Sequence, residues 1–243
     1  MKTKALVRFL NRFAHYAADV EVVDVMARSA SALATKGGRI FDAVTAESHP
    51  TLWNRKDSDG SRDIALRHLK ATIAQSIIKD LYEDVTSYLQ HTLCAAATKG
   101  IDPARFVGEH DFKIGAKDLL ALGSWEAVVQ YASDTIFRRL EEERSTTRLL
   151  ALLPNKLGLV IDQAIVDAAR PYLDARHRFV HHDGKVDAAF AVDHSSLGLS
   201  DGDDLPTTYA FVRDAQVAIR NLVEEFDRKL VAGGFLPDAE CQP

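Results

Sequence analysis

Residues 61–100 read SRDIALRHLKATIAQSIIKDLYEDVTSYLQHTLCAAATKG, with no proline anywhere and no glycine before the last position. Ile64, Leu66, Leu69, Ile73, Ile77, Leu81, Val85, Leu89 and Leu93 recur at steps of two to four residues. That spacing keeps one apolar stripe along an α-helix and predicts a single long helix over 62–97, stopped by Gly100. Asp59 and Ser61 are both placed to cap it. At about 1.5 Å per residue such a helix spans some 50 Å, which makes it the core element of a helical bundle.

The same periodicity extends in both directions. Over 4–36 the apolar residues Leu6, Phe9, Leu10, Phe13, Val22, Val23, Met26, Ala30 and Leu33 predict amphipathic helix, ended by Gly37-Gly38. Between the two lies 47–60, ESHPTLWNRKDSDG, polar and turn-forming, which marks a boundary. Beyond Gly100 a connector with Pro103, Gly108 and Gly115 leads to Ser124 and a helix carrying Trp125, Val128, Val129, Tyr131, Ile136, Phe137 and Leu140. A short helix over 145–153 is stopped by Pro154. Residues 161–182 read as helix, with Pro171 either kinking it or opening a fresh first turn, and Asp183-Gly184 as the stop. The loop HSSLGLSDGDDLP (194–206) follows. Thr207 or Thr208 then caps a last helix through Tyr209, Phe211, Val212, Val217, Ile219, Leu222, Phe226 and Leu230. Only Ala188–Asp193, AAFAVD, reads as extended. The expected fold class is therefore all-α: an N-terminal helical extension over 1–60, a helical domain over 61–232 and a tail over 233–243.

At 243 residues the chain is long enough to bury a sizeable core without disulfide or metal staples. Cys94 and Cys241, the two cysteines, fit neither a disulfide framework nor a cysteine-based zinc site, and a reducing compartment is the simplest reading. Thirty Lys and Arg against 35 Asp and Glu leave a net charge of −5, which excludes a globally basic nucleic-acid binder and requires any such contact to be local. Arg8, Arg12 and Asp19 interrupt the N-terminal apolar stretch, which argues against a signal peptide. No uncharged apolar run is long enough for a membrane span. The expectation is a soluble, cytoplasmic protein with no membrane partner. Neither a phosphate-cradling glycine loop nor a Gly-x-Ser-x-Gly elbow is present.

Of nine histidines, His177, His181 and His182 crowd into LDARHRFVHHDGKVD (173–187). Positions four apart on a helix differ by about 40°, so His177 and His181 share a face, with Arg176 close enough to reach the same space. Phe179 and Val180 are expected to point toward the core. A permanent guanidinium beside two groups that titrate near neutral pH suits phosphodiester cleavage without a metal: one imidazole takes the proton of a ribose 2′-hydroxyl, and the arginine stabilises charge on the phosphoryl oxygens. Arg178, His182 and Lys185 are candidate RNA contacts, and Asp183 is a turn residue. The plainer reading of these cations is a solvated helix C-terminus interacting with the macrodipole.

These residues resemble the signature of the HEPN superfamily of helical ribonucleases, Arg, a polar residue, three residues, then His, which Arg176, His177 and His181 match. The resemblance covers 61–231 and leaves the first sixty residues outside it. It implies a metal-independent endoribonuclease of bacterial defence or toxin–antitoxin systems that needs no cofactor. It also implies a homodimer with a composite cleft, and a possible antitoxin or nucleotidyltransferase partner. Two other readings use the same chain. His182-Asp183 followed by Gly184-Lys185 is similar to the HD phosphohydrolases, which bind divalent metal, with His68, His91 or His110 upstream and Asp187, Asp193 or Asp201 downstream at no telling spacing. The third is a non-catalytic helical interaction protein. His15, His49, His68, His91, His110 and His194 stand alone in the sequence and read as surface or satisfied core residues.

Overall fold

The structure is a computed structural model that describes residues 1–35, 45–54, 59–100, 114–142, 150–151, 154–155 and 157–242. Its elements are β1 (Lys2–Thr3), α1 (Lys4–Thr35), α2 (Pro50–Trp53), α3 (Asp59–Gly100), α4 (Ala116–Ala121), α5 (Trp125–Glu142), α6 (Gln163–His181), α7 (Ala188–Asp193), α8 (Tyr209–Ala232) and β2 (Cys241–Gln242). The protein is an all-α bundle. Among the described residues one small sheet forms, the antiparallel pair β1–β2, with Thr3 opposite Cys241.

The helix starts follow local chemistry. The Thr3 hydroxyl accepts the Leu6 N–H at 2.9 Å, Ser124 accepts that of Ala127 at 3.1 Å, Asp162 that of Ala164 at 2.9 Å and Thr208 that of Phe211 at 3.2 Å. Each oxygen satisfies one of the N–H groups that a helix leaves open at its first turn. The ends are met in kind: Gly100 sits at φ +113°, and Lys99 donates to the carbonyls of Gly234 and Leu236 at 2.7 and 2.8 Å just beyond α8. Cations are favourable at such ends.

The long helix α3 is the axis of the bundle and packs against α1, α5, α6 and α8. Its Leu81, Leu89 and Leu93 are buried with Ile136 of α5, Leu173 of α6 and Ile219, Leu222, Phe226 and Leu230 of α8. Ala5, Leu6, Phe9 and Val20 of α1 belong to this same core, so the N-terminal helix is packed into the bundle. A second apolar cluster, Ile78, Ala175, Phe179, Val186, Phe190, Leu205, Phe211 and Ala215, lies beneath the end of α6 and carries the histidine motif.

Several expectations are corrected. Ala188–Asp193 is helical, not extended, because Asp187 caps it by accepting the Phe190 N–H at 2.8 Å and Phe190 drops into the second cluster. Pro171 lies inside one continuous helix rather than opening a new one. Val180 is 42% exposed, so Phe179 alone of the expected pair faces the core. The polar stretch before α3 contains the turn of helix α2, and the connector after it contains α4. Pro103, Gly108 and most of the short helix expected over 145–153 lie outside the described residues.

Candidate active site

The motif occupies the last turns of α6 and the turn beyond. The His182 N–H and the Gly184 N–H both donate to the Arg178 carbonyl at 3.0 Å, and Lys185 N–H donates to the His182 carbonyl at 2.8 Å. Asp183 and Gly184 take consecutive positive φ values of 50° and 78°, which confirms Asp183 as a turn residue. Glycine is required at 184 for a second reason: a Cβ there would stand 3.3 Å from the Phe179 ring. The chain then pairs with its own later loop. Val186 N–H donates to Asp203 O at 2.9 Å and Leu205 N–H to Gly184 O at 2.8 Å. The glycine- and aspartate-rich segment read as a loop therefore pairs with the turn that follows the histidines.

The three imidazoles converge. The His177 ring centroid lies 4.8 Å from that of His181 and 5.2 Å from that of His182. His181 and His182 are exposed, and His177 is half-buried. Burial holds the His177 pKa below the ordinary histidine value, and the neighbouring His181, His182, Arg178 and Arg176 push it the same way. His177 is thus held in its neutral form at neutral pH.

The cations are each engaged. Arg176 is turned toward α3, with its guanidinium 5.0 Å from the Tyr82 ring centroid and 3.5 Å from the Glu83 carboxylate, while its buried Nε has no hydrogen-bond partner. At 100° per residue, Arg176 and His181 lie about 140° apart around the helix. His177 lies between them. Arg178 is 14% exposed, bonded to Asp187 at 2.5 Å and set over the Phe190 ring. Lys185 is exposed and paired with Asp204 at 2.8 Å. The structure therefore brings His177, His181 and His182 together. It places Arg176 beside them on a neighbouring face, and directs Arg178 and Lys185 to carboxylates.

One pair was not foreseen. His194, read as isolated, is buried with its Nε2 3.0 Å from the Asp174 carboxylate, edge-on to Phe190, and its Nδ1 has no partner. Asp174 lies on α6 just before the motif, and the Arg170 guanidinium reaches the Asp193 carbonyl at 3.4 Å. Together with Arg178–Asp187, these contacts clamp α7 onto α6. The sequence carried no local signal for a pair twenty positions apart, and reading α7 as extended concealed the geometry. Among the described residues no three His, Cys, Asp or Glu side chains are placed to hold a metal ion, so the phosphohydrolase reading through His182 and Asp183 gains nothing from the geometry. His110 lies outside the described residues. Among those residues no helix is long and apolar enough to cross a membrane.

No protein-family model, curated protein or solved structure matches this chain.

Proposed function

We propose that this chain is a metal-independent endoribonuclease of the HEPN type, with Arg176, His177 and His181 as its catalytic residues. The observation that carries the reading is the contact of three imidazoles at a solvent-exposed helix end. Such packing buries little apolar surface and sets like charges together whenever two rings are protonated, so it does nothing for stability that a simpler surface would not do better. A titratable group whose pKa is shifted by burial among neighbouring ionisable groups, as at His177, is a candidate for proton transfer.

In the proposed reaction a neutral imidazole, for which His177 is suited by its lowered pKa, removes the proton of a ribose 2′-hydroxyl. The 2′-oxygen forms a bond to the adjacent phosphorus, and the bond from phosphorus to the 5′-oxygen breaks. His181, open to solvent, donates the proton that the leaving 5′-oxygen takes up, leaving a 2′,3′-cyclic phosphate. Arg176 stabilises charge on the phosphoryl oxygens. Its 3.5 Å contact with Glu83 is long for a hydrogen bond and releases it at small cost. His182 and Lys185 are the exposed groups available to the RNA backbone, and Arg178 supports the site from beneath through Asp187. A homodimer in which a second copy's motif closes over this open face completes the reading, with RNA as the substrate and an antitoxin or nucleotidyltransferase as a possible partner.

The test is cleavage of RNA by the purified protein in EDTA. Arg176→Ala and His181→Ala are each expected to lower the rate by roughly 100-fold or more while leaving the circular dichroism spectrum unchanged. An inert wild type, cleavage that returns only with manganese, or variants as active as wild type would overturn the proposal.

A further inference from the structure

A second polar site lies on the opposite side of the core helix, in a cleft of about 120 Å³ between α1 and α3. Arg8 and Arg12, one turn apart on α1, face Asp84, Ser87, Tyr88 and His91 on successive turns of α3, and Ala5 leaves the floor open. The two arginines are not equivalent. Arg12 is bonded to Asp84 at 2.5 Å, and the same carboxylate accepts the Tyr16 hydroxyl at 2.9 Å. Burial and its own hydrogen bond to the Asp84 carboxylate push the Tyr16 pKa up to about 12. Both Asp84 oxygens are thus engaged.

Arg8 has no carboxylate partner among the described residues. Its Nη2 lies 2.9 Å from Nε2 of His91, and that same nitrogen is 3.2 Å from the Glu240 carboxylate. A guanidinium only donates and a carboxylate only accepts, so a single ring nitrogen satisfies one of them at a time. An anion in the cleft removes the conflict. It takes the Arg8 N–H groups and frees the His91 Nε2–H to donate to Glu240. Arg12 is offset by Asp84, so Arg8 is the lining cation with no carboxylate bonded to it, and Glu240 stands beyond His91.

We infer that this cleft binds a phosphate dianion, either the free ion or the phosphomonoester end of a larger molecule. The volume of about 120 Å³, in a cleft open to solvent, admits a phosphoryl group. Guanidinium forks and a neighbouring hydroxyl, here that of Ser87, are the donors such oxygens take. The site shares no residue with the histidine cluster and stands whether or not that cluster is catalytic.

The test is calorimetric titration of the full chain at fixed ionic strength with inorganic phosphate, a 5′-mononucleotide and the corresponding nucleoside. A histidine NMR spectrum is followed in parallel. Phosphate and mononucleotide are expected to bind one per chain and the nucleoside not at all, with the His91 resonances moving and those of His177 still. Arg8→Gln, at an exposed position, should weaken both by tenfold or more, and Arg8→Lys by less. Equal affinity for the two ligands identifies the free ion as the occupant, and a tenfold preference for the mononucleotide identifies a phosphomonoester. Absence of binding at millimolar ligand, unchanged affinity in Arg8→Gln, or shifts at His177 in place of His91 would each overturn the inference.

Discussion

Replacing Asp227 with alanine should unfasten the N-terminus from the bundle. Asp227 lies on α8, 2% exposed, where its carboxylate accepts the Thr3 hydroxyl, the Thr3 N–H at 3.2 Å and the Tyr88 hydroxyl at 3.2 Å. Thr3 and Tyr88 are themselves buried, so neither finds water when the acceptor is removed. A buried donor left without a partner costs about 1–3 kcal/mol, and here the Thr3 hydroxyl, the Thr3 N–H and the Tyr88 hydroxyl all lose their acceptor. Against this, the variant no longer has to desolvate a carboxylate, which returns part of the loss. The expected net destabilisation is about 2–4 kcal/mol, read as a lower urea midpoint at unchanged slope in unfolding followed by far-UV circular dichroism. A double-mutant cycle with Thr3→Val isolates the contact, with an expected coupling of about 1 kcal/mol or more. A loss under about 0.5 kcal/mol for Asp227→Ala, or a coupling near zero, would show that this buried carboxylate does not hold the chain end, and the reasoning would fail.

Two further outcomes follow from the motif itself. Gly184→Ala forces a side chain to φ +78° and against Phe179, and should cost about 1–2 kcal/mol in urea unfolding; a loss below 0.3 kcal/mol would contradict the geometry. His177 has a folded-state pKa below its unfolded value near 6.5, so its contribution to stability is complete above that value and is lost as pH falls through it toward the folded pKa. The His177 NMR titration should therefore fall on the acid side of 6.5, and His177→Gln should flatten the decline in stability between pH 7 and 5. An ordinary midpoint with an unchanged decline would remove desolvation as the cause.

How much of this was legible in the sequence depended on how local each cause was. The stripe from Ile64 to Leu93 required α3, and the start of α8 was legible at Thr207 or Thr208, of which Thr208 is the cap, because a cap and its N–H partner sit three residues apart. Asp187 gave the same signal for α7, but a helix so short shows no period, and its alanines and valine read equally well as strand. Val180 faces solvent because it lies about 100° around α6 from Phe179, the residue that enters the second apolar cluster. The convergence of His177 and His181 was visible as a four-residue spacing. His182 joining them was not, since its place depends on how the chain leaves the helix at Asp183. Least legible were the long-range pairs, Asp174 with His194 and Arg176 with Glu83, which exist only once α6 has docked on α7 and α3.

Those pairs bear on how the surface answers to salt. A protein that meets a polyanion with free lysines and arginines displaces one set of condensed cations for each phosphate it neutralises, and its affinity falls steeply as salt is added. Around this motif Arg176, Arg178 and Lys185 already carry Glu83, Asp187 and Asp204 as built-in counterions. On the proposed reading, each phosphate drawn in must trade places with a carboxylate that is covalently attached and cannot diffuse away. Added salt screens that internal competitor as well as the phosphate, so the dependence on ionic strength is shallower than a count of basic residues suggests, and the barrier to binding is set by the protein's own acids.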